Sequence, residues 1–290
     1  MNSALVSATL SWYDGNARDL PWRHPDSTPW QVMVSEFMLQ QTPVNRVLRP
    51  WQDWLDRWPD PVALAAAPAG EAVRAWGRLG YPRRALRLHA AATVITESHD
   101  GAVPDHREAL LALPGVGSYT AAAILSFAYR QRHVVLDTNV RRVLARVDAG
   151  VQFPGTAPTR AETMLAERLL PRTGERAARW AAASMELGAV VCTARSPRCS
   201  DCPVRRRCNW FRAGRPTWTG PARRGQSYSG TDRQCRGVLL AALRASEQPL
   251  SFRELAGLWP RAEQYQRALG SLLADGLAVP VAADTYGLPR

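Results

Sequence analysis

Cysteines carry the most sharply spaced chemistry in this sequence. Four of the five, Cys192, Cys199, Cys202 and Cys208, fall within "CTARSPRCSDCPVRRRC", separated by gaps of six, two and five residues. Four thiolates on so short a loop can close around a tetrahedral zinc ion or a cubane iron–sulfur cluster. Zinc ribbons usually present two Cys-x-x-Cys pairs on separate turns, and here only Cys199 and Cys202 form one. Cys235 stands outside the run and reads as a small buried apolar residue. Two carboxylates also stand out. Glu36 is the one charged residue of "WQVMVSEFMLQQT", residues 30–42, amid Val32, Met33, Val34, Phe37, Met38 and Leu39. Lost hydration there disfavours the anion and keeps a proton available, as a general acid requires; the competing reading is a glutamate on a solvated helix face. Asp137, in "VVLDTNVRRVLAR", ends an apolar run and opens a helical pattern, the ordinary place for an N-cap. Finally, "LPGVGSYTAAAIL", residues 113–125, places Gly115, Val116 and Gly117 before a helical run. A tight turn there can aim successive backbone N–H groups and a helix N-terminus at one phosphate, or be a plain helix–helix turn.

The elements that must position these groups are helical. Apolar residues recur at three- and four-residue spacing in "ALVSATLSWY", "WQVMVSEFMLQQ", "RALRLHAAATVI", "YTAAAILSFAYR" and "ERAARWAAASMELGAVV". No alternating run long enough for a strand occurs before about residue 212, so this part reads as all-α. Residues 213–230, "AGRPTWTGPARRGQSYSG", have a linker's composition. Three further helical patterns follow, over about 231–246, 251–258 and 261–275, and then "LAVPVAADTYGLP", a short hairpin candidate. Together they suggest a small winged-helix-like module over 231–290.

Composition sets the remaining bounds. The chain has 290 residues, 46% of them apolar, enough for two compact domains. No run approaches the roughly 18 apolar residues a membrane span needs, and the first twenty residues lack the unbroken apolar centre of a signal peptide, so a cytoplasmic protein is expected. In that reducing compartment clustered cysteines favour metal ligation over disulfides. A formal charge of +12 points to a polyanionic partner, nucleic acid first. Every basic side chain is arginine; there is no lysine.

The cysteine run and the glycine turn together resemble the helix-hairpin-helix glycosylases of the endonuclease III superfamily of DNA repair enzymes, over nearly the whole of residues 5–212. The resemblance implies a two-lobed all-α fold. A six-helix barrel domain would span 21–130, with the hairpin at 106–127. An iron–sulfur cluster domain would combine 1–20 with 131–212, its [4Fe-4S] cluster held by the four cysteines. Arg195, Arg198, Arg205, Arg206 and Arg207 would decorate that loop as a fixed positive surface for phosphates.

Within the superfamily, "SEFMLQQT" is similar to the adenine glycosylase branch. That likeness implies excision of adenine mispaired with 8-oxoguanine or G in double-stranded DNA, by a monomer. Glu36 would protonate N7 of adenine and Asp137 would stabilise the sugar cation, with Tyr119 and Asn139 supporting the pair. Gln41 and Tyr81 match wedge residues that fill the gap left by a flipped nucleotide, and Trp22 and Arg23 match the adenine pocket. Superfamily members that also cut the strand carry a lysine where this chain has Tyr119, so a monofunctional glycosylase is expected. The branch's usual C-terminal domain, resembling nucleotide-pool hydrolases, has no recognisable counterpart, and Ala182 replaces a polar residue at the pocket's edge. A thymine glycosylase acting on T opposite G is the near alternative, although its relatives tend to have Arg where Gln40 and Gln41 stand. A non-enzymatic iron–sulfur DNA-binding or redox-sensing protein is the alternative of another class.

Overall fold

Helices account for nearly all regular structure in the computed structural model, which describes residues 2–220 and 228–290. The middle of the expected linker, 221–227, lies outside the described residues. In chain order the first helices are α1 (Asn2–Asn16), α2 (Pro29–Leu39), α3 (Val44–Arg57), α4 (Pro61–Ala65), α5 (Ala69–Trp76), α6 (Arg83–Ser98), α7 (Arg107–Ala112) and α8 (Ser118–Phe127). Then come α9 (Thr138–Leu144), α10 (Arg160–Leu169), α11 (Gly174–Glu186) and α12 (Asn209–Arg212). Each helical stretch read from apolar spacing is a helix. No helix among the described residues is long and apolar enough to cross a membrane.

By contacts the described chain forms two units: residues 2–32, 105–111 and 116–220, and residues 33–104, 112–115 and 228–290. In the first, Leu5, Val6 and Leu10 of α1 pack with Val140, Val143 and Leu144 of α9 and with Ala177, Trp180 and Ala183 of α11. Both α9 and α11 run on into π-helical turns, Ala145–Ala149 and Leu187–Val191. Such turns widen the helix and are frequent where a helix end serves a site. Gly188, in the second, is required by close approach: a Cβ there would lie 2.7 Å from the Asn139 Cβ. Trp210 Nε1 donates to the Pro216 carbonyl and the Trp218 ring meets Phe153, so the first part of the expected linker is bound to this unit.

In the second unit, helix α3 buries Val47, Trp51, Trp54 and Leu55 along one face, and Trp54 meets Trp58 and Trp76 edge-on. The stop between α3 and α4 is encoded locally: Asp60 accepts from the Ala63 N–H, and Pro61 sits where a missing N–H costs nothing. Residues 228–290 belong to this unit. They form α13 (Asp232–Ala245), β1 (Leu250–Ser251), α14 (Phe252–Ala256), α15 (Ala262–Ala274), β2 (Val279–Ala282) and β3 (Thr285–Gly287). The three helices and the hairpin lie where the sequence places them. What periodicity missed is β1, too short for a pattern, which joins the hairpin in an antiparallel sheet of order β1-β3-β2. That order of helices and strands is the winged-helix one.

Arg141, in the last turn of α9, is buried and donates to both oxygens of Glu162 and to the carbonyls of Gly155 and Ala157. Glu162 also completes a capping box with Thr159 at the start of α10. Glu162→Ala would leave the Arg141 cation short of its anion and remove the cap. The expected loss is about 3 kcal/mol, read as a lowered urea midpoint with an unchanged slope.

Candidate functional site

Asp137 is the N-cap of α9, and both of its oxygens are engaged. Oδ1 accepts the Val140 N–H and Oδ2 accepts the Asn139 side-chain amide, each at 2.6 Å. Burial pushes its pKa up from the ordinary value, against the opposing pull of the Val140 and Asn139 hydrogen bonds and the Arg142 charge. The cap reading therefore holds, and the same aspartate is also desolvated. Asn139 is oriented in turn by Arg142, whose Nη2 donates to its Oδ1 at 2.8 Å and to the Gly188 carbonyl at 2.6 Å. Tyr119, on the first turn of α8, packs against Ala122, Ala123, Val135 and Ala181 in the same unit.

Trp22 is buried in a 3₁₀ turn, Pro21–Arg23. Arg23 donates to Glu186 Oε2 at 2.9 Å, while Arg18 makes a fork to both oxygens at 2.6 and 2.9 Å. Burial opposes the Glu186 anion, yet the Arg18 hydrogen bond with the Arg23 and Arg18 charges more than offsets it and holds the carboxyl below its usual range. Arg18 is raised correspondingly by Glu186. Glu186 was not singled out from sequence, although its signal was the one that exposed Glu36: a lone carboxylate in an apolar helical run, "WAAASMELGAVV".

In the other unit, Glu36 lies on α2 at 6% exposure, with Met33, Val34, Phe37 and Met38 at 1% or less. The solvated-face reading is excluded. Gln41 and Tyr81 are both exposed, Tyr81 to 55%, and both have left-handed backbones, with φ of 56° and 46°. Non-glycine residues adopt that conformation only where the surroundings over-determine it. Arg84, a residue the periodicity hid inside α6, holds the backbone beside both. Its buried guanidinium donates to the carbonyls of Phe37, Met38 and Gln40, to Thr42 Oγ1, and to the carbonyls of Gly80 and Tyr81. Burial lowers its pKa to about 10.

The glycine turn splits in role. Gly115 has φ of 81°, and a Cβ would come within 3 Å of Arg87 and Phe37, so glycine is required twice over. Val116 is buried. Gly117 is extended, contrary to the expectation that both glycines make the tight turn; it is the N-cap of α8, with no side-chain cap and open space where a Cβ would project. The first amides of α8 can thus be approached closely by an anion.

Cys192, Cys199, Cys202 and Cys208 line one cavity with Val143, Val147, Leu187 and Trp210. Burial, with the three neighbouring thiols, pushes the Cys202 thiol up to about 11; four thiolates there demand a cationic centre. The four thiols around one cavity are the donor set that an iron–sulfur cluster held by four cysteines requires. When bound, the cluster fixes the loop by four bonds. Arg146, fully buried, donates to the Cys192 sulfur at 3.2 Å and to the carbonyls of Thr193 and Ala194, with its guanidinium over the Trp210 ring. Arg195, Arg198, Arg205, Arg206 and Arg207 are exposed, as expected.

Residues 34–168 match the HhH-GPD superfamily of base excision DNA repair proteins, and residues 192–208, which begin and end on cysteine, match the iron–sulfur binding domain of endonuclease III. The adenine DNA glycosylase of Mycobacterium tuberculosis is 53% identical over 281 residues, 97% of this chain and 92% of that protein. This chain belongs to the adenine DNA glycosylase family. The Homo sapiens adenine DNA glycosylase is 42% identical over 71% of this chain and 39% of its own length. A thymine-DNA glycosylase of Aeropyrum pernix is 33% identical over 72% of this chain and 94% of its own. Among solved structures, a thermostable thymine-DNA glycosylase superposes with a TM-score of 0.66 at 27% identity, over 73% of this chain and 97% of that one. Endonuclease III in a non-covalent DNA complex gives 0.62 at 19% identity, over 74% and 98%, a likeness of fold. This adenine DNA glycosylase family member is a base excision repair glycosylase that binds DNA and carries a [4Fe-4S] cluster.

Asn139 lowers the Asp137 pKa through its hydrogen bond. Asn139→Ala removes that bond and loosens the Arg142 contact, so the Asp137 pKa is expected to rise further. Carboxyl ¹³C shifts followed through a pH titration should show the Asp137 midpoint moving to higher pH, and no movement would contradict the assignment.

Proposed function

We propose that this protein hydrolyses the N-glycosidic bond of adenine mispaired with 8-oxoguanine or G, and leaves the strand uncut. The carrying observation is Asp137: a desolvated carboxylate whose two oxygens are fixed by Asn139 and the α9 N-terminus. Such an anion is ready for positive charge at C1′ without reorganising when the charge develops. Glu36, buried among apolar side chains, takes the complementary role and delivers a proton to N7, so that the C1′–N9 bond breaks with adenine leaving neutral. A water molecule then adds to C1′ and loses a proton, completing an abasic site. Tyr119 occupies the position from which a lyase lysine would act, and the chain has no lysine to form a Schiff base.

The other assignments follow the same relatives. Trp22 and Arg23, with Glu186 behind Arg23, form the base pocket; Gln41 and Tyr81 are the wedge; Gly115, Val116, Gly117 and the α8 amides hold a backbone phosphate; and the exposed arginines of the cluster loop neutralise others. The enzyme acts as a monomer. The shared ancestry with thymine glycosylases makes T opposite G the control substrate.

Duplexes carrying A opposite 8-oxoguanine, A opposite G and T opposite G should be distinguished by strand breakage after hot alkali. The two adenine duplexes are expected to break only after alkali, and borohydride should trap no covalent adduct. Glu36→Gln should slow single-turnover release by at least about 100-fold. Breakage without alkali, or release of T alone, would refute the assignment.

A further inference from the structure

Helix α5 is short, and its own flanks cap it poorly: Pro68 at its N-cap offers no side-chain acceptor. Orphan groups at helix ends need partners, and here they come from residues more than 160 positions away. At the first turn the Gly70 N–H donates to the Pro289 carbonyl at 2.7 Å. A Cβ at residue 70 would lie 2.3 Å from that same oxygen, so the contact admits only glycine. At the last turn Arg244 of α13 donates through Nε to the Val73 carbonyl at 2.8 Å and through Nη1 to the Gly77 carbonyl at 2.5 Å. Arg74 of α5 donates back to the Arg244 carbonyl. Helix α6 is gripped as well: Arg83, its first residue, pairs with Asp275, whose other oxygen accepts from Arg236 of α13.

Between α5 and α6 runs the turn that carries Tyr81 in its left-handed conformation. Inside the turn Gly80 accepts from Trp76 Nε1 and from Arg84. The module thus holds the helices on both sides of the Tyr81 turn. Residues 228–290 also bring seven arginines against six carboxylates, and Arg236 and Arg244 are spent inside the protein. The segment therefore adds little net charge of its own.

We propose that residues 228–290 act as a brace for the Tyr81 turn, with Arg244 as the positioning residue that transmits it. The proposal rests on the reading of Tyr81 as a wedge. Loosening α5 at its C-terminal end lets the turn relax from its strained backbone, and the exposed tyrosine is then no longer presented in one orientation to the duplex.

The test uses the full chain and a duplex with 2-aminopurine in place of the mispaired adenine, whose fluorescence rises on unstacking. Arg244→Met, Arg244→Lys and Tyr81→Ala are compared singly and combined. Arg244→Met is expected to weaken the flipping signal about 10-fold when Tyr81 is present and less than about 2-fold in the Tyr81→Ala background. Arg244→Lys, which retains a donor, should recover part of the signal. Equal losses in both backgrounds would mean general destabilisation and overturn the brace, as would a Tyr81→Ala protein that flips normally. If Arg244→Met fails to fold, Asp275→Asn, which loosens α6, must show the same dependence on Tyr81. Because flipping does not require bond cleavage, a wild type that flips but releases no adenine would sink the proposed function and leave the brace to be decided by the cycle.

Discussion

Two buried guanidiniums meet at the carbonyl of Cys192, Arg142 through Nε at 2.8 Å and Arg146 through Nη1 at 3.3 Å. A buried cation must find acceptors or cost several kcal/mol, and the cluster loop supplies them as main-chain oxygens. From that point order passes outward. Arg142 fixes Asn139, Asn139 fixes Asp137, and Asp137 caps the helix from which Arg142 itself projects. The carboxylate is aimed by a closed loop of interactions whose far side is the first cysteine of the cluster. Four cysteine bonds to a bound cluster would stiffen the far side of that loop.

The unit that contains Glu36 solves its own problem with the same device. Gln41 and Tyr81 stand in backbone conformations that each cost of order 1–3 kcal/mol. Arg84 ties down the backbone beside both, with additional support from the Trp76 and Tyr81 rings at 5.2 and 5.6 Å. A lysine could not do this. One ammonium cannot reach carbonyls on two loops, whereas a planar fork of five donors can.

Much of this was legible in the sequence because it is written in spacing. Helices betray themselves by apolar period, the cluster by cysteine gaps, and Glu36 by being the only charge in a greasy run. What could not be read was the tertiary use of arginine. Arg84, Arg142 and Arg146 lie in basic, helical text that resembles any solvated face, and nothing local distinguishes a guanidinium that will thread between loops. Glu186 is the instructive omission, since the rule applied to Glu36 would have found it. Gly117 errs in the other direction: its glycine pair suggested a shared turn, but only Gly115 has the positive φ, and Gly117 is valuable for the space above it. The attachment of residues 228–290 to α5 was hidden because it runs through main-chain carbonyls, which carry no sequence signature.

These internal arginines change what the net charge means. A formal +12 suggests a molecule uniformly attractive to DNA, yet Arg18, Arg84, Arg141, Arg142, Arg146 and Arg244 are committed to carbonyls and carboxylates within the fold. Glu186 answers Arg18, and Glu162 answers Arg141. A buried guanidinium contributes little to the screened field at the surface, while an exposed one within a Debye length of a phosphate contributes directly. The charge available to a polyanion is therefore smaller than the formal count, and the five exposed arginines of the cluster loop are part of it.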